Sequence, residues 1–336
     1  MTTHESVPLS SLTTLRAGGP ARIVAFCESA ADVRAALALS KERGLPYYVL
    51  GEGSNVLAPD EGFEGVVLRM QTDGLTVTDE GSVTHLHAGA GVSWDRAVRE
   101  AAARGLWGIE NLAGIPGTCG AAPVQNIGAY GAELSQVLVA VDVLDATSGD
   151  ERRLAAAECA LRYRDSLFKH DQTLIILGMT LALAREGSAR ADYSDLKKAK
   201  EAGADLSTPE KVGELVRAIR SKKFPDLAVS GTAGSFFKNP IITEAEYAAL
   251  AERYGEAPRF PNPDGVKIPL AFILDKVLGL RGFRLGRAHL FGAQPLVLVL
   301  DEGGTSADIE ALAREVEKRV FDATNIRIER EVRSLA

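Results

Sequence analysis

The chain has 336 residues, a net charge of -7, 46% apolar and 25% charged residues. At roughly 100–200 residues per domain this predicts two or three soluble globular domains. The acidic balance speaks against binding to a nucleic-acid backbone. No apolar run reaches the roughly 18 residues of a membrane span, and the N-terminus lacks a charged region followed by an apolar one, so a cytoplasmic protein is expected. Three widely spaced cysteines, Cys27, Cys119 and Cys159, fit a reducing compartment better than a disulfide framework.

In chain order, LPYYVL (45–50), EGVVLRM (64–70), LVAVDVL (138–144) and LIILGMTLAL (174–183) read as strands bounded by Gly, Pro or charge. Residues 93–104 read as a helix capped by Ser93 and ended by Gly105, with Trp94, Val98 and Ala102 on one face. Residues 110–133, ENLAGIPGTCGAAPVQNIGAYGAE, are too rich in Gly, Pro and Asn for regular structure, and so long a loop is usually functional. Residues 199–210 read as a connector and domain boundary. Thr208 and Pro209 then open a helix carrying Val212, Leu215 and Ile219, which stops before Pro225. The strand PLVLVL (295–300) precedes a helix at 306–321 with Ile309, Leu312, Val316 and Val320 at helical spacing. The candidate strand NIRIEREV (325–332) follows. Strands and helices interleave without a βαβ repeat, which predicts an α+β protein.

Familiar signatures are missing. Gly-Lys never occurs, so there is no P-loop, and neither Gly51-Glu-Gly53 nor Gly89-Ala-Gly91 carries the third glycine of a Rossmann turn. There is no CxxC or HExxH. His85 and His87 share a face of a strand, where a packed or solvated pair outweighs a metal site. Two Gly-rich segments suggest a ligand. Gly51-Glu-Gly-Ser-Asn55 follows a strand directly and suits an anion-binding nest, although an ordinary tight turn explains it as well. The 110–133 loop adds Gly114, Gly117, Gly120, Gln125, Asn126, Gly128, Tyr130 and Gly131. Exposed N–H groups, amides and small residues are what a diphosphate and a large planar ring require. A structural Ω-loop is the alternative.

LGEGSNVL, AGIPGTCGAAPVQNIGAYGAEL, YRDSLFKH, GTAGSFFKNP and EREVR, in this order from about Thr14 to Arg333, resemble the UDP-N-acetylenolpyruvoylglucosamine reductase (MurB) family. The resemblance implies an FAD-binding part of the vanillyl-alcohol-oxidase/PCMH type in two α+β subdomains, 1–70 and 71–205, and an α+β substrate-binding domain, 206–336. It implies non-covalent FAD, NADPH as co-substrate and UDP-N-acetylglucosamine enolpyruvate as substrate. Hydride passes to C3 of the enolpyruvyl ether and a proton to C2, giving UDP-N-acetylmuramate for peptidoglycan synthesis. No metal, nucleic acid or membrane is implied, and a monomer is expected.

Matching the family's motifs residue by residue implies a flavin site of Gly51, Gly53, Ser54, Asn55, Gly114, Ile115, Pro116, Gly117, Gly120, Ala121, Gln125, Asn126, Gly128, Ala129 and Gly131. It implies substrate contacts at Tyr130, Tyr163, Tyr193, Lys223, Gly234, Asn239, Lys267 and Gln294. Arg164, Ser235 and Glu331 match the catalytic positions. Their residue types suit the chemistry: a guanidinium fork holds a carboxylate that gains charge, a hydroxyl protonates the strongly basic C2, and a neutral carboxyl donates to the developing dianion. Without the resemblance, Arg164 pairs as well with Asp165, Ser235 is a small turn residue and Glu331 an edge-strand charge. Glu329 would share the face of Glu331 on a strand. Phe260 stands where relatives carry a tyrosine, and HLFGAQ before Gln294 departs from the family pattern.

Two other readings share these motifs. A flavin oxidase on the same scaffold would consume oxygen without NADPH, often through a covalent His or Cys link, and here the 110–133 loop offers only Cys119. A non-catalytic nucleotide-sugar binder would be colourless and refuse FAD.

Overall fold

The computed structural model describes residues 1–81 and 83–335. Contacts divide them into two units. The first contains Met1–Val7, Ala21–Glu52 and Glu64–Ser221; the second contains Pro8–Pro20, Gly53–Phe63 and Lys222–Ala336. The division differs from boundaries at 70 and 205. The helix Pro209–Lys223 buries Val212 and Val216 in the core of the first unit, so the chain leaves that unit only at the helix's last turn.

The first unit holds two sheets around a shared apolar core. One has the strand order Thr2–Pro8, Pro20–Cys27, Phe63–Met70, Tyr47–Leu50, with the last two parallel, Leu50 opposite Arg69. The other is antiparallel, in the order Glu151–Ala155, Leu138–Asp145, Leu174–Ala184, Val83–Gly89, Leu75–Glu80. The four strands read from sequence are all present within a few residues. The helix Trp94–Ala103 is also present, ended by Gly105 in the left-handed region (φ 70°). Ser93 stands at its N-cap but makes no capping bond through its side chain. The backbone of this stretch is tied to the loop instead: the Trp94 N–H donates to Gly117 O, and the Trp94 indole N–H donates to Leu112 O at 2.9 Å.

The sequence pattern underplayed three helices. Ala30–Arg43 is capped by Ser29 and buries only Val33, Ala36 and Ser40, a face too small to stand out as an apolar stripe. Ser194–Glu201 occupies the start of the expected connector, and Glu244–Tyr254 begins with a Thr243/Glu246 capping box.

In the second unit the strands Gly231–Ser235, Val297–Leu300, Ala288–Leu290 and Arg284–Leu285 form an antiparallel sheet in that order. The helix Ser306–Thr324 contributes Ile309, Leu312, Ala313, Val316 and Val320, all fully buried, to the same core as Leu298 and Leu300. NIRIEREV is not a regular strand. Only a bridge at Arg330 to Phe237 and the short strand Arg333–Ser334, parallel to Val56–Leu57, are present. Glu329 and Glu331 flank that bridge, and the Glu329 side chain is 74% exposed. Gly231 shows how tightly the N-terminal piece of this unit is joined to the rest: a Cβ there would lie 2.0 Å from Leu15 O, and Thr14 Oγ1 donates to Thr232 O at 2.7 Å. Gly231→Ala must push backbone from backbone. It should lower unfolding stability by about 2 kcal/mol or more, read by urea denaturation, whereas Gly203→Ala, with open space around it, should cost less.

Candidate active site

In the first unit the 110–133 loop has almost no regular structure, yet its backbone is held at nearly every step. Gly114 N–H donates to Asp95 Oδ1 at 2.7 Å and Gly117 N–H to Glu52 Oε2 at 2.9 Å. Gly120 packs so close to Ala90 that a Cβ would lie 2.5 Å from the alanine Cβ, and a Cβ on Gly51 would come within 2.7 Å of Thr118 Oγ1. Ala121 N–H turns back to Thr118 O, and Ile115 lies against the core. The glycines at 51 and 120 thus bring backbone segments together, and the loop that follows the parallel strand Tyr47–Leu50 is docked on the loop 114–121. The carboxyl end of a parallel strand is a common ligand position in open sheets.

Further along, Gln125 ends a short 3₁₀ turn and Asn126 (φ 44°) is fully committed. Its Nδ2 donates to Arg162 O and its Oδ1 accepts from Ser135 N–H. Gly128–Ala129 and Ala132–Glu133 form a miniature hairpin whose turn, Tyr130 (φ 48°) and Gly131 (φ 81°), has the two positive φ angles of a tight hairpin turn. A tyrosine at such an angle is strained, and Asn111 Nδ2 restrains it by donating to Tyr130 O at 2.8 Å. Arg164 (φ 52°) is delivered to the same hairpin. Its guanidinium donates to Gly128 O at 2.6 Å and to Asn126 O at 3.5 Å and lies 5.5 Å from the Tyr163 ring centre. Asp165 is not its partner: that carboxylate is held 3.0 Å from His170 Nε2, and Lys169 donates to Arg164 O. Tyr193 stacks edge-on against Tyr130, ring centres 5.3 Å apart, and remains 44% exposed.

Two arginines that sequence reading passed over lie beneath this loop. Arg217 pairs with Asp95 through Nε at 2.9 and 3.1 Å, and Arg220 donates to Gly114 O at 2.9 Å and to the Tyr130 phenol. They extend the buried face of Gly213 and Val216, and cations on such a face were the available signal. Burial lowers the Arg220 pKa and pushes the Tyr130 phenol up to about 12. His85 and His87 share a face as expected, beside Glu80 and Asp142 respectively. Among the described residues no group of three His, Cys, Asp or Glu could hold a metal ion.

The second unit gathers the other candidates. A bulge at Gly234 (φ 78°) interrupts the pairing of Gly231–Ser235 before Ser235 comes opposite Val297, and Gln294 closes the turn that leads there. The chain continues beside the C-terminal segment: Glu331 N–H donates to Phe236 O at 2.8 Å and Lys238 N–H to Glu329 O at 2.9 Å. Asn55 joins the same place. Its Nδ2 donates to Glu331 O at 3.2 Å and its carbonyl accepts from Arg333 N–H, while Gly53 (φ 67°), next to Ser54, accepts from Thr14 N–H. Asn55, Ser235 and Glu331, far apart in sequence, are therefore neighbours. Asn239 Oδ1 accepts from Leu270 N–H, and Lys267 lies opposite Ile241 and Phe260 in a three-stranded sheet. Lys223 ends its helix. Pro116, Ser54, Tyr163, Lys223, Lys267 and Glu331 all have partners of their own.

The comparisons with known proteins bear on this arrangement. A model described as an FAD binding domain matches residues 21–155, and one described as the C-terminal domain of UDP-N-acetylenolpyruvoylglucosamine reductase matches residues 226–335. A crystal structure of 6-hydroxy-D-nicotine oxidase from Arthrobacter nicotinovorans shares the fold, with a TM-score of 0.53 at 16% identity over 90% of this chain and 80% of that one. Fold and cofactor domain together define an FAD-dependent oxidoreductase of the PCMH type, α+β throughout, as the sequence implied.

The relatives narrow it further. UDP-N-acetylenolpyruvoylglucosamine reductase of Pseudomonas aeruginosa is 40% identical over 93% of this chain and 92% of its own, and that of Escherichia coli K12 is 39% identical over 86% and 84%. The crystal structure of the Thermus caldophilus enzyme covers 100% of both chains with a TM-score of 0.71 at 25% identity. The chain belongs to the UDP-N-acetylenolpyruvoylglucosamine reductase family.

Asp95 links the loop to Arg217, and its acidity follows from competing effects. Burial favours the neutral form, but the Gly114 N–H and the guanidiniums of Arg217 and Arg99 outweigh it, so the pKa falls. A carboxyl whose pKa is lower folded than unfolded stabilises the fold above the unfolded value of about 3.9 and loses that contribution as the pH falls through the folded value. Asp95→Asn should therefore lower stability at neutral pH, and below about pH 4 the gap between mutant and wild type should narrow. Denaturation midpoints across the pH range test this; a gap constant with pH would remove Asp95 from the account.

Proposed function

We propose that this chain reduces UDP-N-acetylglucosamine enolpyruvate to UDP-N-acetylmuramate at the expense of NADPH, supplying the cytoplasmic stage of peptidoglycan synthesis. The observation that carries the reading is the assembly of Asn55, Ser235 and Glu331 by hydrogen bonds from three remote segments within the second unit, in a chain of this family that also carries a PCMH-type FAD domain. Bound FAD would supply the hydride for C3 of the enolpyruvyl ether, with NADPH as the reductant.

The residues present fit the cofactor. The loops 51–55 and 114–131 offer backbone and small side chains, and Gly131 has open space where a Cβ would stand. The binding is non-covalent. Cys119, the one thiol in the 110–133 loop, is fully buried, and burial pushes its pKa up to about 12, which makes it a poor nucleophile for a flavin link.

The remaining work belongs to side chains. Addition at C3 leaves negative charge on C2 and the adjoining carboxylate. Arg164, its backbone strained and its guanidinium aimed along the 126–128 carbonyls, holds that carboxylate. Ser235, placed by the Gly234 bulge, protonates C2, and a neutral Glu331 donates to the charge developing on the carboxylate. Tyr130, Tyr163, Tyr193, Lys223, Gly234, Asn239, Lys267 and Gln294 contact the rest of the substrate. Asn239 does so through its amide nitrogen, since its oxygen caps Leu270. Phe260, 49% exposed, offers no hydroxyl there.

Anaerobic absorbance separates the two half-reactions. NADPH should bleach the flavin and the enolpyruvyl substrate should restore its colour; rapid oxygen consumption without NADPH, or a protein that refuses FAD, overturns the reading. Ser235→Ala should leave bleaching intact and slow recolouring by about a hundredfold or more, and reoxidation at the wild-type rate rules out the proton transfer. Arg164→Lys keeps the charge without the fork, so it too should slow recolouring strongly; full activity would reduce Arg164 to a structural residue.

A further inference from the structure

The C-terminal segment that carries Glu331 has little regular structure of its own, yet one side chain binds it on three sides. Arg330 Nε donates to Glu317 Oε1 and Arg330 NH1 to Glu310 Oε2, both at 2.6 Å, and its NH2 reaches the second oxygen of each carboxylate at 3.2 Å. Glu310 and Glu317 lie seven residues apart on the helix Ser306–Thr324, at the edge of the face that Ile309, Leu312, Val316 and Val320 lock into the core. The same guanidinium lies 5.8 Å from the ring centre of Phe236, the residue after Ser235, and Arg330 forms the backbone bridge to Phe237. All three acid and base side chains of this clamp are less than a third exposed (28–31%). Bidentate charged bonds of this kind fix direction as well as distance.

We propose that Arg330 is the positioning residue of the reductive half-reaction, setting Glu331 and Ser235 relative to each other by anchoring both to the helix Ser306–Thr324. Arg330 touches neither reacting atom. It acts through its two neighbours: the peptide to Glu331, whose N–H is bound to Phe236 O, and the Phe236 ring, whose peptide leads to Ser235. Glu329 is tied to Lys238 but is 74% exposed, and an exposed pair contributes little. The inference rests on the roles proposed for Glu331 and Ser235 and adds the element that holds them.

The test is a double-mutant cycle on FAD-loaded protein, reading flavin bleaching by NADPH and recolouring at saturating substrate separately. Arg330→Ala should leave bleaching within about twofold and slow recolouring by about tenfold or more, since a displacement on the order of 1 Å costs up to about a hundredfold. Glu329→Gln should leave both unchanged. Arg330→Ala should slow recolouring less in the Glu331→Gln background than in the wild type, because the part of its effect that passes through Glu331 is already lost and only the part that passes through Ser235 remains. If Arg330→Ala melts too low for assay, Glu310→Gln/Glu317→Gln breaks the clamp with the arginine in place and should give the same split. Wild-type recolouring in the clamp variants, or losses that multiply in the double mutant, overturns the positioning role while leaving that of Glu331 intact. Wild-type recolouring in Glu331→Gln sinks the Glu331 assignment itself, and this inference with it.

Discussion

The second unit depends on a few backbone hydrogen bonds between segments that the chain order keeps far apart. Residues 236–238 run antiparallel to 329–331, and Asn55 closes the arrangement by donating to Glu331 O while accepting from Arg333 N–H. These bonds carry little net free energy individually, about 1 kcal/mol each. Their value is geometric. A peptide that must satisfy its N–H and C=O in one direction has few ways to sit, so the side chains at 235 and 331 inherit positions with small freedom. The Gly234 bulge re-aims Ser235 at the end of an otherwise regular strand pairing, a use of bulges common beside active sites.

The first unit reaches rigidity by a different route. Its long loop has almost no ladder of its own and borrows partners: carboxylates from Glu52 and Asp95, carbonyls from Arg162 and Tyr130, and an N–H from Ser135. Buried arginines complete it. Arg220 has a lowered pKa because burial penalises its charge, and it still donates to Gly114 O and the Tyr130 phenol. Removing a partner from such a network leaves a buried charge or amide unsatisfied, so it is more sensitive to substitution than its loop character suggests. The three strained non-glycine residues at 126, 130 and 164 lie within this network, which supplies the contacts that hold them there.

The parts of this structure that were legible from the sequence are those governed by local patterns. Short β-rich runs at 64–70 and 174–183 became strands, because continuous apolar stretches of that length suit strands buried on both faces, and Ile309, Leu312, Val316 and Val320 became one helix face through their helical spacing. The helix Ala30–Arg43 was invisible to that method, since Ala36 and Ser40 fill its buried side without an apolar stripe. NIRIEREV misled it in the other direction: alternating Ile and charge suggests a strand, but the partners available to 325–329 do not form a ladder. The motifs could not show that Gly51 and Asn55, four residues apart, fall to different units.

The clamp on Arg330 explains why that limit exists. Nothing in EREVR distinguishes Arg330 from Arg333 or Glu329 from Glu331; all four are charged residues near the end of the chain. What separates them is the helix beside them. Glu310 and Glu317 stand in line at the edge of the face that packs, so the anchor for Arg330 is set by the core through their neighbours Ile309 and Val316. Arg333 is held through its backbone, by Asn55 O and the pairing with Val56, and Glu329 is 74% exposed. A residue's role in this segment is therefore a property of the tertiary register. Four charge-assisted bonds offset the cost of desolvating the three partly exposed side chains, as well-packed apolar groups also could. Orientation of the neighbouring peptide is the contribution that an apolar replacement would not reproduce.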